Sequence, residues 1–316
     1  MKKKLAFVFP GQGSQSLTML GGFENQFPVV TETYQAASDA LGYDLWALVQ
    51  QGPEIQLNQT EFTQPALLVA GVALWRLWKQ HPGQVPDFMA GHSLGEYTAL
   101  VCAGAVDFIA AVTLVALRGK LMQEAVSPGR GAMAAIVGLE NDVLLDICQH
   151  AAQGQILSPA NYNSIGQTVL AGEAEAIARA IELALKAKAK IAKIIPVSVP
   201  SHCALMQPAA ERLAEHLQNV MITTPAIPVV NNVDVACYDQ PEKIRSALVR
   251  QLFSPVRWVE TVQYLIAAGV DGMIECGPGK VLAGLNKRIN ADVETLTIAT
   301  PESFQSALER TTALPL

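Results

Sequence analysis

The sequence predicts an α/β protein: a large unit with a parallel-sheet core, interrupted by a smaller layer of sheet and helices. Three observations carry that expectation. The apolar run Leu5-Ala6-Phe7-Val8-Phe9 ends on Pro10-Gly11-Gln12-Gly13, as a buried parallel strand feeding a glycine-rich loop does. A short strand, a glycine–serine turn and a helix follow one another between 87 and 104. From 131 to 197 the order strand, helix, strand, strand, helix, strand makes a unit of its own.

Taken in order, helical apolar spacing marks the segments near 28–41 and 64–79, the second opened by Gln64-Pro65 as a first-turn proline. Asp87-Phe88-Met89-Ala90 reads as a strand, Gly91-His92-Ser93-Leu94-Gly95 as a tight turn, and Glu96 through Ala103 as a helix closed by Gly104. Ser127-Pro128-Gly129 is linker chemistry. Strands are then expected at 131–137, 156–160, 168–171 and 191–197. Helices are expected at 141–152, capped by Asn141 or Asp142, and at 173–188. This βαββαβ order is the ferredoxin-like plan, set at 128–197 as an insertion between residues 1–127 and 198–316 of the large unit. After Pro200 the large unit resumes, with helices expected at 208–219, 242–253 and 258–268 and strands at 227–231, 272–275 and 295–299.

Composition bounds the function. Half of the 316 residues are apolar and 16% are charged, which suits a well-buried chain rather than a disordered one. A net charge of −6 disfavours general attraction to nucleic acid or anionic lipid. Met1-Lys2-Lys3-Lys4 has the charge of a signal-peptide start, but the apolar run after it stops at Pro10, and it is read as a strand. No apolar stretch approaches the roughly 18 residues of a membrane span. Cys102, Cys148, Cys203, Cys237 and Cys276 are odd in number and lack CxxC pairing, so reduced thiols in a cytoplasmic protein are expected, and no metal.

Gly91-His92-Ser93-Leu94-Gly95 fits the G-x-S-x-G elbow, in which a sharp strand-to-helix turn lifts a serine hydroxyl out of the sheet, giving an α/β-hydrolase-like large unit. The positive end of the following helix favours the oxyanion of acyl transfer. The plainer alternative is that Ser93 only caps that helix, in which case Ser93→Ala costs about 1 kcal/mol and spares activity. A serine nucleophile needs a base, and five histidines are available. His81 lies in a polar loop, His150 and His216 in exposed helices, and His92 is expected to point away from its neighbour. His202 remains, where a strand ends and a loop turns toward the next helix. Arg118 lies in the apolar stretch 108–121, where an unpaired cation is costly, so an anion is expected beside it. That anion is either a substrate carboxylate, gripped by two parallel hydrogen bonds, or an internal Asp or Glu.

Five motifs together carry a resemblance. They are Phe9-Pro10-Gly11-Gln12-Gly13-Ser14-Gln15, Gly91 through Tyr97 with Arg118, Asn161-Tyr162-Asn163, Val199-Pro200-Ser201-His202 and Glu275-Cys276-Gly277-Pro278-Gly279. In this order, over almost the whole chain, the sequence resembles the malonyl-CoA:acyl carrier protein transacylase family of fatty acid synthesis. The resemblance implies a Ser93–His202 dyad, with His202 oriented by the backbone carbonyl of Gln251. It implies an oxyanion hole from the N–H groups of Leu94 and Gln12, and Arg118 as the receptor of the malonyl carboxylate. It also implies that His92, Asn163 and Ser201 contact substrate. Malonyl-CoA and acyl carrier protein are then the partners of a monomeric enzyme that needs no cofactor. Coenzyme A leaves as product, and phosphopantetheine comes with the carrier. For an acidic carrier, Lys186, Lys188, Lys190 and Lys193, or Lys280, Lys287 and Arg288, are candidate docking groups. Three rivals stay open on the residues: a serine hydrolase or thioesterase, a malonyl transferase of polyketide synthesis or malonate decarboxylation, and a carrier-binding module without catalysis.

Overall fold

The computed structural model describes residues 4–197 and 199–312, so Met1–Lys3, Ser198 and the last four residues lie outside it. The chain begins with β1 (Lys4–Phe9) and four helices, α1 (Pro28–Leu41), α2 (Leu45–Gln51), α3 (Glu54–Leu57) and α4 (Thr60–Lys79). Then come β2 (Phe88–Gly91), α5 (Leu94–Cys102) and α6 (Phe108–Ala125). The insertion holds β3 (Gly131–Val137), α7 (Asn141–Ala152), β4 (Leu157–Ser164), β5 (Gln167–Glu173), α8 (Ala174–Lys186) and β6 (Ile191–Ile194). A short 3-10 turn and α9 (Gln207–Leu217), β7 (Val229–Val230), α10 (Pro241–Gln251), α11 (Trp258–Ala267), β8 (Val270–Glu275), α12 (Val281–Ile289), β9 (Glu294–Thr297) and α13 (Pro301–Thr312) complete it.

The large unit is a five-stranded sheet in the order β7-β2-β1-β8-β9, with every pairing parallel. Central position explains why β1 reads as an unbroken apolar run. Successive side chains of a strand point to opposite faces, and here both are covered. Leu5, Phe7 and Phe9 enter one core cluster with α4 and α6, while Ala6 and Val8 enter another with Trp258, Val262 and Leu285.

The small unit is a four-stranded antiparallel sheet in the order β4-β5-β3-β6. Its two faces also go different ways. Ala134 and Ile136 pack on Ile147, Ile177 and Ala180 of α7 and α8, whereas Met133, Val169 and Ala171 join the main core of the large unit. Strand β4 is tied to the loop before α11 by Tyr162 N–H to the Val256 carbonyl at 2.9 Å and Val256 N–H to the Ala160 carbonyl at 2.8 Å. The small sheet therefore forms a wall beside the large unit's helices.

Several local expectations differ from what the chain does. Helix α4 starts at Thr60, so Pro65 lies inside it rather than in its first turn; the near-complete burial of this helix outweighs the one N–H that proline removes. The residue before α7 is Glu140, which makes no side-chain cap; Asn141 Oδ1 instead accepts from the Thr168 hydroxyl at 3.3 Å. Strand β7 keeps only Val229 and Val230 of the expected 227–231, and β4 runs on to Ser164 because β5 pairs with it along that length. The described cysteines are free thiols. Among the described residues no helix is long and apolar enough to cross a membrane.

Candidate active site

Strand β2 passes into α5 through a single strained residue. Ser93 has φ 51° and ψ −109°, outside the regions an ordinary L-residue prefers. The flanking glycines permit the turn. A Cβ on Gly91 would stand 1.8 Å from the Gly95 carbonyl carbon, and one on Gly95 would stand 2.0 Å from the Phe9 carbonyl oxygen. The elbow is held by Asn232, which is fully buried. Its Oδ1 accepts from Ser93 N–H at 2.7 Å and its Nδ2 donates to the Gly91 carbonyl at 2.6 Å. The serine hydroxyl makes no cap for α5. It lies 2.7 Å from His202 Nε2, so two residues 109 positions apart meet.

His202 is buried and its backbone also takes a positive φ, 63°. The peptide is anchored by its N–H to the Leu252 carbonyl at 2.9 Å. The imidazole Nδ1 faces the Gln251 carbonyl at 2.7 Å. A carbonyl only accepts, so Nδ1 carries the proton and Nε2 is left with its lone pair toward the serine hydroxyl. Burial, and then the positive charge of Arg118, push the imidazole from its ordinary 6.5 down to about 3, so it stands neutral at neutral pH.

Arg118, on α6, is 1% exposed. Its Nη1 donates to Gln64 Oε1 at 2.8 Å and its Nη2 to Gln251 Oε1 at 3.0 Å, while the guanidinium lies 5.3 Å from the centre of the Tyr97 ring. No carboxylate lies within ion-pair distance of it among the described residues, and its Nε and the Tyr97 hydroxyl are buried without a hydrogen-bond partner there. The internal salt bridge that stood as the alternative to a substrate carboxylate for this arginine is thus not formed among the described residues.

One cleft collects most of the predicted residues: Gln12, His92, Ser93, Leu94, Arg118, Ser201 and His202 line it, with Asn161 of β4 and Met133 of β3 on the small-unit side. Leu94 opens α5, so its N–H has no partner within the helix and is free to point at an anion. His92 does not turn away from Ser93, as expected, but lines the same cleft, with its ring 5.6 Å from that of Trp258. Asn163 stands one step behind it, its Oδ1 2.8 Å from His92 Nε2, while Asn161 reaches the cleft itself. The motif at 275–279 shapes the loop from outside. Glu275 accepts from the N–H groups of Leu282 and Ala283 at 3.0 and 2.8 Å, and Gly277 leaves room for Pro10, whose Cγ a Cβ would meet at 2.5 Å. Among the described residues no cluster of His, Cys, Asp or Glu is arranged to hold a metal.

Sequence reasoning missed Gln64, Glu96 and Asn232. Glu96 carried a legible signal, a carboxylate inside the apolar helix 94–102, the same signal that singled out Arg118. Asn232 carried none.

The acyl transferase domain family matches residues 6–301. The malonyl CoA-acyl carrier protein transacylase of Escherichia coli (strain K12) is 56% identical over 309 residues, covering 97% of this chain and 99% of that one. Among solved structures, the malonyl CoA-acyl carrier protein transacylase from Coxiella burnetii superposes with a TM-score of 0.97 at 55% identity, covering 98% of both chains. A malonyl-transacylase in complex with its type II PKS acyl-carrier protein gives 0.96 at 56% identity, covering 98% of this chain and 100% of that one.

Proposed function

The chain belongs to the malonyl CoA-acyl carrier protein transacylase family, and from that premise we propose that it moves a malonyl group from coenzyme A to the phosphopantetheine thiol of acyl carrier protein through a malonyl ester of Ser93. The observation that carries this reading is the line Gln251 carbonyl, His202 Nδ1, His202 Nε2, Ser93 Oγ, with 2.7 Å at each contact. It is a dyad oriented by a backbone carbonyl. A hydrolase of the related elbow fold places an acid there instead.

In the forward half-reaction Ser93 Oγ attacks the thioester carbonyl as its proton passes to His202 Nε2. The N–H groups of Leu94 and Gln12 hold the oxyanion. The imidazolium then returns the proton to the coenzyme A sulfur as the C–S bond breaks, leaving malonyl-Ser93. In the second half the carrier thiol gives its proton to His202 and attacks the ester, and Ser93 leaves with the proton restored. Arg118 grips the malonyl carboxylate through parallel hydrogen bonds. Burial is the main cause of the low His202 basicity, and that ion pair offsets the smaller contribution of the Arg118 charge, so the base gains strength when the right acyl group is seated. His92, Asn161 and Ser201 line the path of the acyl chain, with Asn163 orienting His92. Every step uses the chain's own groups, and neither metal nor redox cofactor is invoked.

The reading extends to a monomer acting in cytoplasmic fatty acid synthesis. The acidic carrier docks on exposed basic residues, either Lys186, Lys188, Lys190 and Lys193 of the small unit or Lys280, Lys287 and Arg288 of the large one. Product analysis with a thiol acceptor in excess tests the transfer. Malonyl-thiol as the main product supports it, and free malonate as the main product replaces it with hydrolysis. A charge reversal that leaves the rate with carrier unchanged removes that cluster.

A further inference from the structure

We propose that Glu96 is a positioning residue for the acyl-carboxylate site: it holds the side-chain amide of Gln251 so that the amide oxygen faces Arg118. The proposal rests on the reading of Arg118 as the carboxylate receptor.

Gln251 is fully buried and its side chain touches three groups. Nε2 donates to Glu96 Oε2 at 2.7 Å and to the Ser93 carbonyl at 3.1 Å, and Oε1 accepts from Arg118 Nη2 at 3.0 Å. Half a turn of the amide would oppose two donors at Arg118 and set acceptors against each other at Glu96 and Ser93. The orientation is therefore dictated from the far side of the amide, and the shorter of its two bonds there is the one to Glu96. Without that acceptor, only the longer contact to a carbonyl already taken by Glu96 N–H would remain.

Glu96 itself is 2% exposed and sits in the first turn of α5, where the helix dipole favours a carboxylate. Its Oε2 also accepts from Asn232 N–H at 3.0 Å, and the side chain of Asn232 holds the elbow. The arginine is thus registered to the nucleophile's own turn through Glu96 and Gln251. Acting through an amide has a chemical advantage over a direct ion pair. A carboxylate touching Arg118 would occupy the donors that the substrate needs. One relay away, it steadies the cation and leaves the edge toward the cleft open.

The test is the ratio of kcat/KM for malonyl-CoA to that for acetyl-CoA, with carrier thiol as acceptor, in the full-length enzyme. Acetyl has no carboxylate, so its rate reads the elbow alone and serves as the internal control. Glu96→Ala is expected to lower the ratio about tenfold, chiefly through the KM of malonyl-CoA. Glu96→Gln, which keeps an acceptor oxygen at the same distance, is expected to hold the ratio within about threefold of the parent. Arg118→Ala runs alongside. If it leaves the ratio unchanged, the carboxylate-receptor reading fails. If it collapses the ratio and Glu96→Ala does not, only the positioning role fails. Equal losses for both acyl groups in Glu96→Ala would make the residue structural and overturn the proposal. Glu96→Met replaces the alanine variant should that not fold; failure of both, with Glu96→Gln folded, likewise assigns Glu96 to stability alone.

Discussion

Two arginine environments meet at the end of α10, where neighbouring residues serve opposite sides. On the outer side Arg250 makes two hydrogen bonds to Asp234, at 2.9 and 2.5 Å, and nearby Arg257 grips Glu260. These guanidiniums are partly exposed and each is answered by a carboxylate. On the inner side Gln251 turns toward Arg118, which is far more deeply buried and is answered by two amide oxygens. Burial makes a charge costlier to leave without an opposite charge, yet the protein gives its contacting carboxylates to the arginines that need them least. On the proposed reading, the difference separates cations that tie surface segments together from one kept available for a substrate.

The largest expected effect falls on the inner side. His202→Ala should lower transfer by about 10²–10⁴-fold, while Arg250→Ala leaves the rate unchanged; steady-state assays with carrier thiol check both. Comparable losses in the two variants would erase the distinction. Next, Arg118→Ala should cut the preference for malonyl over acetyl by about 10–10²-fold, the worth of a charged hydrogen bond or two. Arg118→Lys should not restore it, because an ammonium cannot copy the planar fork.

A third expectation concerns acid. The unfolded His202 imidazole takes a proton below 6.5, but the folded one resists until about 3, chiefly because it is buried. Over that window the unfolded state binds more protons, so stability rises with pH and is lost on acidification. Glu96 runs the other way. Burial lifts its carboxyl from 4.5 to about 7, so between those values the folded state binds the extra proton and stability falls as pH rises. Denaturant titrations across this range should show a weaker acid loss in His202→Gln and a weaker alkaline loss in Glu96→Gln. Parallel curves for all three proteins would contradict both assignments. The smallest effect belongs to the outer side: Arg250→Ala should cost less than about 1 kcal/mol of stability, as partly exposed ion pairs do.

What the sequence disclosed follows the same division between local and distant causes. The elbow was legible because its steric demands are met by glycines two residues either side of Ser93. The ferredoxin-like order of the small unit was legible because each element carries its own periodicity. Helices α2, α3, α6, α12 and α13 went unread, the first two being too short for a 3.6-residue pattern to establish itself. The Gln251 carbonyl was reachable only through family resemblance, since a backbone group leaves no trace in residue type. The ties among Glu96, Asn232 and Gln251 join positions 136 and 155 apart, and no local pattern records such pairings. His92 was misdirected because alternation along a strand does not continue through a residue at φ 51°.

The central claim is that Ser93, activated by His202, becomes the carrier of the acyl group. Intact-mass measurement after brief exposure to malonyl-CoA, without acceptor thiol, tests it most directly. The parent protein should gain one malonyl group, mapped to the peptide containing Ser93, and Ser93→Ala should gain none. A parent that transfers malonyl to carrier without ever bearing the adduct, or an adduct that persists in Ser93→Ala, would contradict the account.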